Sequence, residues 1–406
     1  MVDHEKLGVW LIGAKGGLAT TVLVGASAIR RGLAPTVGLV TELPAFNSLP
    51  FIPIEDLIFG GYDIKKSTVF DQAEQIAKNN GTLDRMLLQE IKSDLNEMDK
   101  NILPGTSVNC GQTIEQLADM PLLNHNLSLS EQILKIQEDL KNFQKKNNLK
   151  EIVVVNVSST EPPLNSTALK ASLSQLEEII AGNSFHEIRA GTLYALACVQ
   201  MGHPLVNFTP STSYFLPAIE EVARQRRVPY MGNDGKTGES LVKATLAPMF
   251  AYRNLRVLSW QGYNILGDQD GQVLSDETVK EAKLKTKEPI VSKILGYPLH
   301  SRVGIDYVPS LDDWKTAWDF IHFQGFLNVK MSCQFIWQGC DSILAAPLVL
   351  DLVRFAYLAK NRGECGPMAH LGCYFKSPLH LTEHNFHKQF ERLLLYAQDQ
   401  ALLPRG

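Results

Sequence analysis

The sequence predicts an α/β protein: a doubly wound, parallel-sheet domain with a smaller α+β unit inserted into it. Three observations carry this prediction. The first forty residues spell apolar run, glycine turn, helix and apolar run, the order of a parallel βαβ unit. Short buried-strand patterns then alternate with helical ones as far as about residue 237. From about residue 238 the texture changes to longer extended runs with polar alternation, and a long apolar helix follows near Asp341.

Taken in order, Val9 to Ile12 reads as a strand that meets Gly13. Thr20 to Arg31 reads as a helix stopped by Gly32. Thr36 to Thr41 is β-branched and apolar and reads as a second buried strand ending at Glu42. A proline-bearing loop (Pro44, Pro50, Pro53) precedes a polar, mostly helical stretch over 66–150, in which Ser130 to Lys146 is the clearest helix. Strands are predicted at Glu151–Val157, Leu205–Phe208 and Val228–Met231, with two helical stretches before the second and one, 217–226, before the third. Beyond these come helix 238–251, strand 255–261, a charged helical stretch over 276–293, and extended runs at 302–308 and 327–338. The alternation in Asn328-Val-Lys-Met-Ser-Cys predicts a half-exposed sheet. The second unit therefore reads as inserted, with the chain returning to the first at its end.

A chain of 406 residues is long enough for about two domains. Apolar residues make up 45% and charged residues 20%, ordinary for a globular enzyme. The net charge of −4 argues against a nucleic-acid binder, while a local lysine cluster still allows an anionic substrate. The six cysteines are scattered, and Cys365, His370 and Cys373 complete no closed zinc pattern. The charged N-terminus gives no signal-peptide pattern, and the apolar stretch Ile343 to Ala359 is broken by Asp351 and Arg354, so no membrane span is expected. Cytoplasm and free thiols are the expectation.

The motif Gly13-Ala-Lys15-Gly16-Gly17-Leu-Ala-Thr lies between a strand and a helix. Glycines there let the backbone approach a pyrophosphate, and the helix N-terminus offers unpaired N–H groups. An acid at the end of the second strand ordinarily meets the adenosine ribose, and Glu42 is the candidate. The hydroxyl-rich loop Asn207 to Pro217 follows a buried strand, where loops line the cofactor crevice.

Lysines give the second half of the chain its character. Gly232-Asn-Asp234-Gly-Lys236-Thr237-Gly238-Glu239 follows a strand and opens a helix, a turn able to cradle a phosphate with backbone N–H groups, Lys236 and Thr237. Tyr263 to Gly271 carries Asp268 and Asp270. Lys283 and Lys287 are four apart on one helical face, Lys315 follows Asp312-Asp313, and Lys376 lies between aromatics, where a charge needs a partner. Asp341 is either an N-cap or a functional acid. Lysine combines charge, proton donation and a pKa that burial can lower, so a dinucleotide site with several lysines points to ketone and enolate chemistry.

The order of these motifs resembles that of the myo-inositol-1-phosphate synthase family, compact prokaryotic type, from the glycine turn to Pro378. The matching elements are residues 207–217, Gly232–Glu239, Gly262–Gly271, Lys283/Lys287, Asp312–Lys315, Cys340–Ala345 and Tyr374–Leu379. The resemblance implies a Rossmann-like NAD-binding domain, 1–237 plus 342–406, and an inserted α+β catalytic and tetramerisation domain, 238–341. It implies catalytic roles for Lys283, Lys287, Lys315, Lys376, Asp234, Asp270 and Asp341. It places NAD on Gly13, Lys15, Gly16, Gly17, Glu42, Ser158, Thr160, Asn207, Pro210, Thr212 and Asp234. The substrate would meet Lys236, Thr237, Gly238, Glu239, Leu266 and Asp268.

The implied reaction is NAD-dependent cyclisation of glucose 6-phosphate to 1L-myo-inositol 1-phosphate: oxidation, enolisation, intramolecular aldol closure and re-reduction. Its isomerase class, a homotetramer and a role in inositol and phospholipid biosynthesis follow from the resemblance alone. Glu239 and Asp268 stand where the family pattern has amides, and two added negative charges beside a phosphate need a lysine or a monovalent or divalent cation to compensate. The rival readings are a related cyclitol-phosphate synthase on another sugar phosphate, a simple NAD-dependent sugar-phosphate dehydrogenase, and a silent NAD-binding scaffold.

Overall fold

A computed structural model describes residues 5–164, 166–267 and 289–402. Its larger sheet has seven parallel strands: β1 (Leu7–Ile12), β2 (Leu57–Asp63), β3 (Ile102–Pro104), β4 (Glu151–Asn156), β5 (Leu205–Asn207), β6 (Pro229–Met231) and a late strand, Gly366–Pro367. Their spatial order is Gly366–Pro367, β6, β5, β4, β1, β2, β3. The chain thus leaves β1 to one side for β2 and β3 and returns to the other for β4, β5 and β6. This reversal creates a switch point at the carboxyl ends of β1 and β4, where open α/β sheets bind ligands.

Every residue of β1 is buried, and its side chains alternate between two cores. Val9 and Leu11 join a core with α1 (Gly17–Arg30) and the long helix Asp341–Asn361. Trp10 and Ile12 join the core on the opposite face, built with helices Leu129–Lys146 and Ala190–Met201. Helices on both faces explain why the strands read as continuous apolar runs.

The second strand is the main departure from the sequence reading. Thr36 to Thr41 forms no strand; Val40–Glu42 is a 3-10 turn, and β2 begins at Leu57. The backbone N–H groups of Val40 and Thr41 donate to the Asp351 carboxylate at 2.8 and 3.0 Å, so they are satisfied without a ladder. Meanwhile Gly60 and Gly61 weaken the local strand signal of β2. Close approach requires them: a Cβ on Gly61 would lie 2.2 Å from the Leu11 carbonyl oxygen. Glu42 therefore ends no strand, and its carboxylate pairs with Arg354 instead.

The helix Asp341–Asn361 is long and apolar enough to cross a bilayer by composition, but 78% of that window is buried inside the fold. Its Asp351 and Arg354 are spent on the 40–42 turn.

The second sheet comes from one continuous stretch: β7 (Arg256–Leu266), β8 (His300–Tyr307), β9 (Trp314–Gln324) and β10 (Lys330–Cys340), in the order β10-β9-β7-β8. Only the β7–β8 pair is parallel. One face packs under α9 (Gly238–Tyr252) and helix Pro289–Leu295, burying Phe250, Trp260, Val291 and Ile321. The other face leaves Tyr263, Trp318 and Ile336 exposed, as the alternation predicts.

Candidate active site

A cleft of about 380 Å³ opens at the switch point. Its wall runs from the glycine turn, through the loops after β2 and β4, to the turns that carry Asp234, Lys315, Asp341 and Lys376. Residues more than 300 positions apart in the chain thus share one cavity.

The glycine turn is shaped for close approach. Gly13 has φ +86° and its missing Cβ would sit 2.7 Å from Ser158 Cα, so the turn after β1 lies tight against the turn after β4. Gly17, at the start of α1, has open space where a Cβ would be. Glycine, open space and a helix N-terminus fit a bound pyrophosphate. Gly13, Gly16, Gly17, Ser158, Thr160, Pro210 and Asp234 line the cleft. Lys15 is buried and turned away, its ammonium on the Lys65 carbonyl at 3.2 Å. Asn207 is spent on Ser211 and Asn233, and Thr212 is exposed outside the cleft.

The acid at the end of the strand beside β1 is Asp63, not Glu42. Asp63 lines the cleft and accepts from the backbone N–H groups of Lys15, Ile64 and Lys65 at 2.6, 2.7 and 3.0 Å. Burial pushes its carboxyl pKa up, and those three N–H groups oppose the shift. The signal that locates it is the run Leu57 to Tyr62, once its glycines are read as close-approach sites.

Two lysine–aspartate pairs stand in the cleft. Lys376 Nζ donates to Asp234 Oδ1 at 2.9 Å, the partner that its aromatic surroundings demand. The other oxygen of Asp234, Oδ2, is buried and has no hydrogen-bond partner among the described residues. A buried acceptor without a donor in the wall of a cleft suits a ligand hydroxyl. Lys315, the second residue of β9, donates to Asp341 Oδ2 at 3.1 Å, while Thr237 donates to Asp341 Oδ1 at 3.4 Å. Asp341 is the first helical residue, preceded by Cys340 as N-cap, so its side chain serves the cleft rather than the helix end. Asp313 accepts from Cys340 and Ser342 and braces this junction; the double acid Asp312-Asp313 is its only trace in the sequence.

The expected phosphate turn divides. Thr237 lines the cleft as N-cap of α9. Lys236 points away into a buried niche, donating to Gln389 Oε1, and burial pushes its pKa down to about 8. Glu239 is turned under α9 against Lys243, and Leu266 is buried beside Val303 and Ile305. Gly238 does not line the cleft but lies close to Asp341, its missing Cβ 3.6 Å from Oδ1. Asp268, Asp270, Lys283 and Lys287 lie outside the described residues. Among the described residues no group of three or more His, Cys, Asp or Glu side chains could hold a metal ion.

Strand order, glycine turn and paired lysines together define a dinucleotide-binding α/β enzyme. Comparison with known proteins makes this specific: the chain belongs to an NAD-binding family described as myo-inositol-1-phosphate synthase, whose model matches residues 7–396. It is 32% identical to inositol-3-phosphate synthase 1 of Bacteroides thetaiotaomicron over 93% of this chain and 91% of that one. It is 27% identical to inositol-3-phosphate synthase isozyme 1 of Arabidopsis thaliana, over 99% and 81%. The fold superposes on the crystal structure of inositol-3-phosphate synthase from Caenorhabditis elegans with a TM-score of 0.87 at 22% identity, covering 100% of this chain and 88% of that one.

Proposed function

We propose that this chain cyclises glucose 6-phosphate to inositol phosphate with bound NAD. The observation that carries this reading is the convergence of the glycine turn with two carboxylate-held lysines in one cleft. Family membership and the names of the relatives support the same reaction.

Gly13, Gly16 and Gly17 would hold the NAD pyrophosphate, and Asp63 the adenosine ribose. Bound NAD supplies reversible hydride acceptance. The protein must manage the oxyanions. Lys376, fixed by Asp234, would face the ketone and enolate oxygen, while the unpaired Asp234 Oδ2 accepts a substrate hydroxyl. Lys315, fixed by Asp341, would hold the aldehyde oxygen that becomes the closing alkoxide. Preorganised cations of this kind contribute most where charge develops. Lys283 is assigned the proton exchange at the carbon 5 hydroxyl, Lys287 a share of the enolate charge, and Asp270 the orientation of these lysines. The substrate phosphate would sit at the N-terminus of α9, near Thr237 and Gly238.

The division into 1–237 plus 342–406 and 238–341 follows the two sheets. A homotetramer formed through the second sheet accounts for the exposed Tyr263, Trp318 and Ile336. A monovalent or divalent cation would assist at the phosphate if Asp268 lies there.

The test is to incubate the protein with glucose 6-phosphate and NAD, following phosphorus NMR and NADH absorbance together. Inositol phosphate without accumulating NADH is expected. Stoichiometric NADH would instead mean a dehydrogenase, and another cyclitol phosphate from a different sugar would redirect the substrate assignment.

A further inference from the structure

The first turn of α9 rests on a buried charge cluster that the proposed chemistry does not use. Glu239 Oε1 accepts from Lys243 Nζ at 2.5 Å, and its Oε2 accepts from Asn264 Nδ2 at 2.8 Å. Lys243 also reaches Asp319 Oδ1 at 3.3 Å, an oxygen that accepts from Trp260 Nε1 at 2.6 Å. The ammonium therefore ties the start of α9 to β9, while Asn264 and Trp260 tie the two carboxylates to β7. All five side chains are buried, with Glu239 at 2%, Lys243 at 4% and Asp319 at 0% exposure.

The backbone leaves room for this cluster at one position. Gly262 on β7 stands opposite Asp319 on β9. A Cβ there would lie 2.4 Å from Glu239 Oε1, 2.6 Å from Lys243 Nζ and 3.0 Å from Asp319 Oδ1. Glu239 is the acid whose charge would oppose a phosphate at this helix end, and the cluster withdraws it from the cleft.

We propose that Lys243 is a positioning residue for the substrate phosphate: held between Glu239 and Asp319, it fixes the first turn of α9 so that its N–H groups and Thr237 present one geometry to the phosphate. This rests on the reading of α9 as the phosphate end of the site. The phosphate is carried on carbon 6, the carbon that closes the ring, so a loosened grip shows in both KM and kcat for the sugar phosphate, while NAD binding does not depend on it.

Steady-state kinetics and fluorescence titration of NAD test this. Lys243→Met strands two buried carboxylates and should lower kcat/KM for glucose 6-phosphate about tenfold or more, with the Kd for NAD unchanged. Lys243→Met combined with Glu239→Gln and Asp319→Asn should recover most of that loss, because amides no longer need the ammonium. Gly262→Ala crowds the cluster with its charges intact and gives the same readout if Lys243→Met does not fold. An unchanged kcat/KM in the variants overturns the proposal. So does a joint loss of kcat/KM and NAD binding that the combined substitution leaves unrepaired, since that marks a general structural role. Wild-type protein that binds NAD but neither binds nor turns over glucose 6-phosphate would remove the functional reading itself, and this inference with it.

Discussion

The two lysine–aspartate pairs of the cleft are held differently. Lys376 and Asp234 come from turns at the end of the parallel sheet, and their side chains are 11% and 7% exposed. Their backbones are stitched together as well, Lys376 N donating to the Asp234 carbonyl at 2.7 Å. Lys315 and Asp341 come from the junction of the second sheet with the long helix, and are 16% and 32% exposed. A preorganised cation contributes more to a developing charge where water is excluded, so the more shielded pair has the stronger hold on an oxyanion. The parallel sheet thus supplies the more shielded pair of the cleft and the second sheet the more exposed one.

The largest expected effect falls on the more shielded pair. Lys376→Met should lower kcat about 100- to 1000-fold while leaving NAD binding intact, measured by turnover and titration. A loss no greater than that of Lys315→Met would erase the distinction between the pairs. Next comes the frame beneath them. Gly61→Val drives a side chain into the Leu11 carbonyl and should cost about 3 kcal/mol, read from urea unfolding. The same substitution at Gly25 in α1, where nothing lies within 4 Å of the missing Cβ, meets no such collision and isolates the steric part.

Asp341→Asn should be milder than Lys376→Met, about tenfold to a hundredfold in kcat, because it loosens a lysine without removing it. Its effect should exceed that of changing Asp313, which braces the same junction from behind.

How far the sequence announced this arrangement depends on the range of each interaction. β1, the glycine turn, α1 and the major helices were legible because periodicity and punctuation are local. The half-exposed second sheet was legible from alternation in β10. Strand β2 was not, since Gly60 and Gly61 are explained only by the Leu11 carbonyl and the Trp10 ring they admit. That miss displaced the expected strand-end acid from Asp63 to Glu42. The surroundings of Lys376 announced that it needed a carboxylate, but the identity of Asp234, 142 residues earlier, is a property of the fold. The inward turn of Lys236 and Glu239 was hidden for the same reason: their partners Gln389, Asn264 and, through Lys243, Asp319 are set by packing.

The smallest predicted effect is on pH dependence, and it lies at the C-terminal edge of the parallel-sheet half. His370 stacks on Tyr396 with ring centroids 3.6 Å apart, and burial pushes its pKa down to about 4. The unfolded chain takes up this proton near pH 6.5, before the folded protein does. Stability should therefore fall as pH drops from about 6.5 to 4, and His370→Phe should shrink that fall. Thermal unfolding across this window checks it, with an unchanged slope counting against the assignment.

The central claim is that one cleft takes a hydride from the sugar and returns it before the cofactor leaves. Glucose 6-phosphate deuterated at carbon 5 tests this most directly, with the product examined by mass spectrometry and NMR. The account predicts an inositol phosphate that keeps its deuterium, with none in free NADH. Deuterium released in NADH, with an oxidised sugar phosphate left behind, would contradict it.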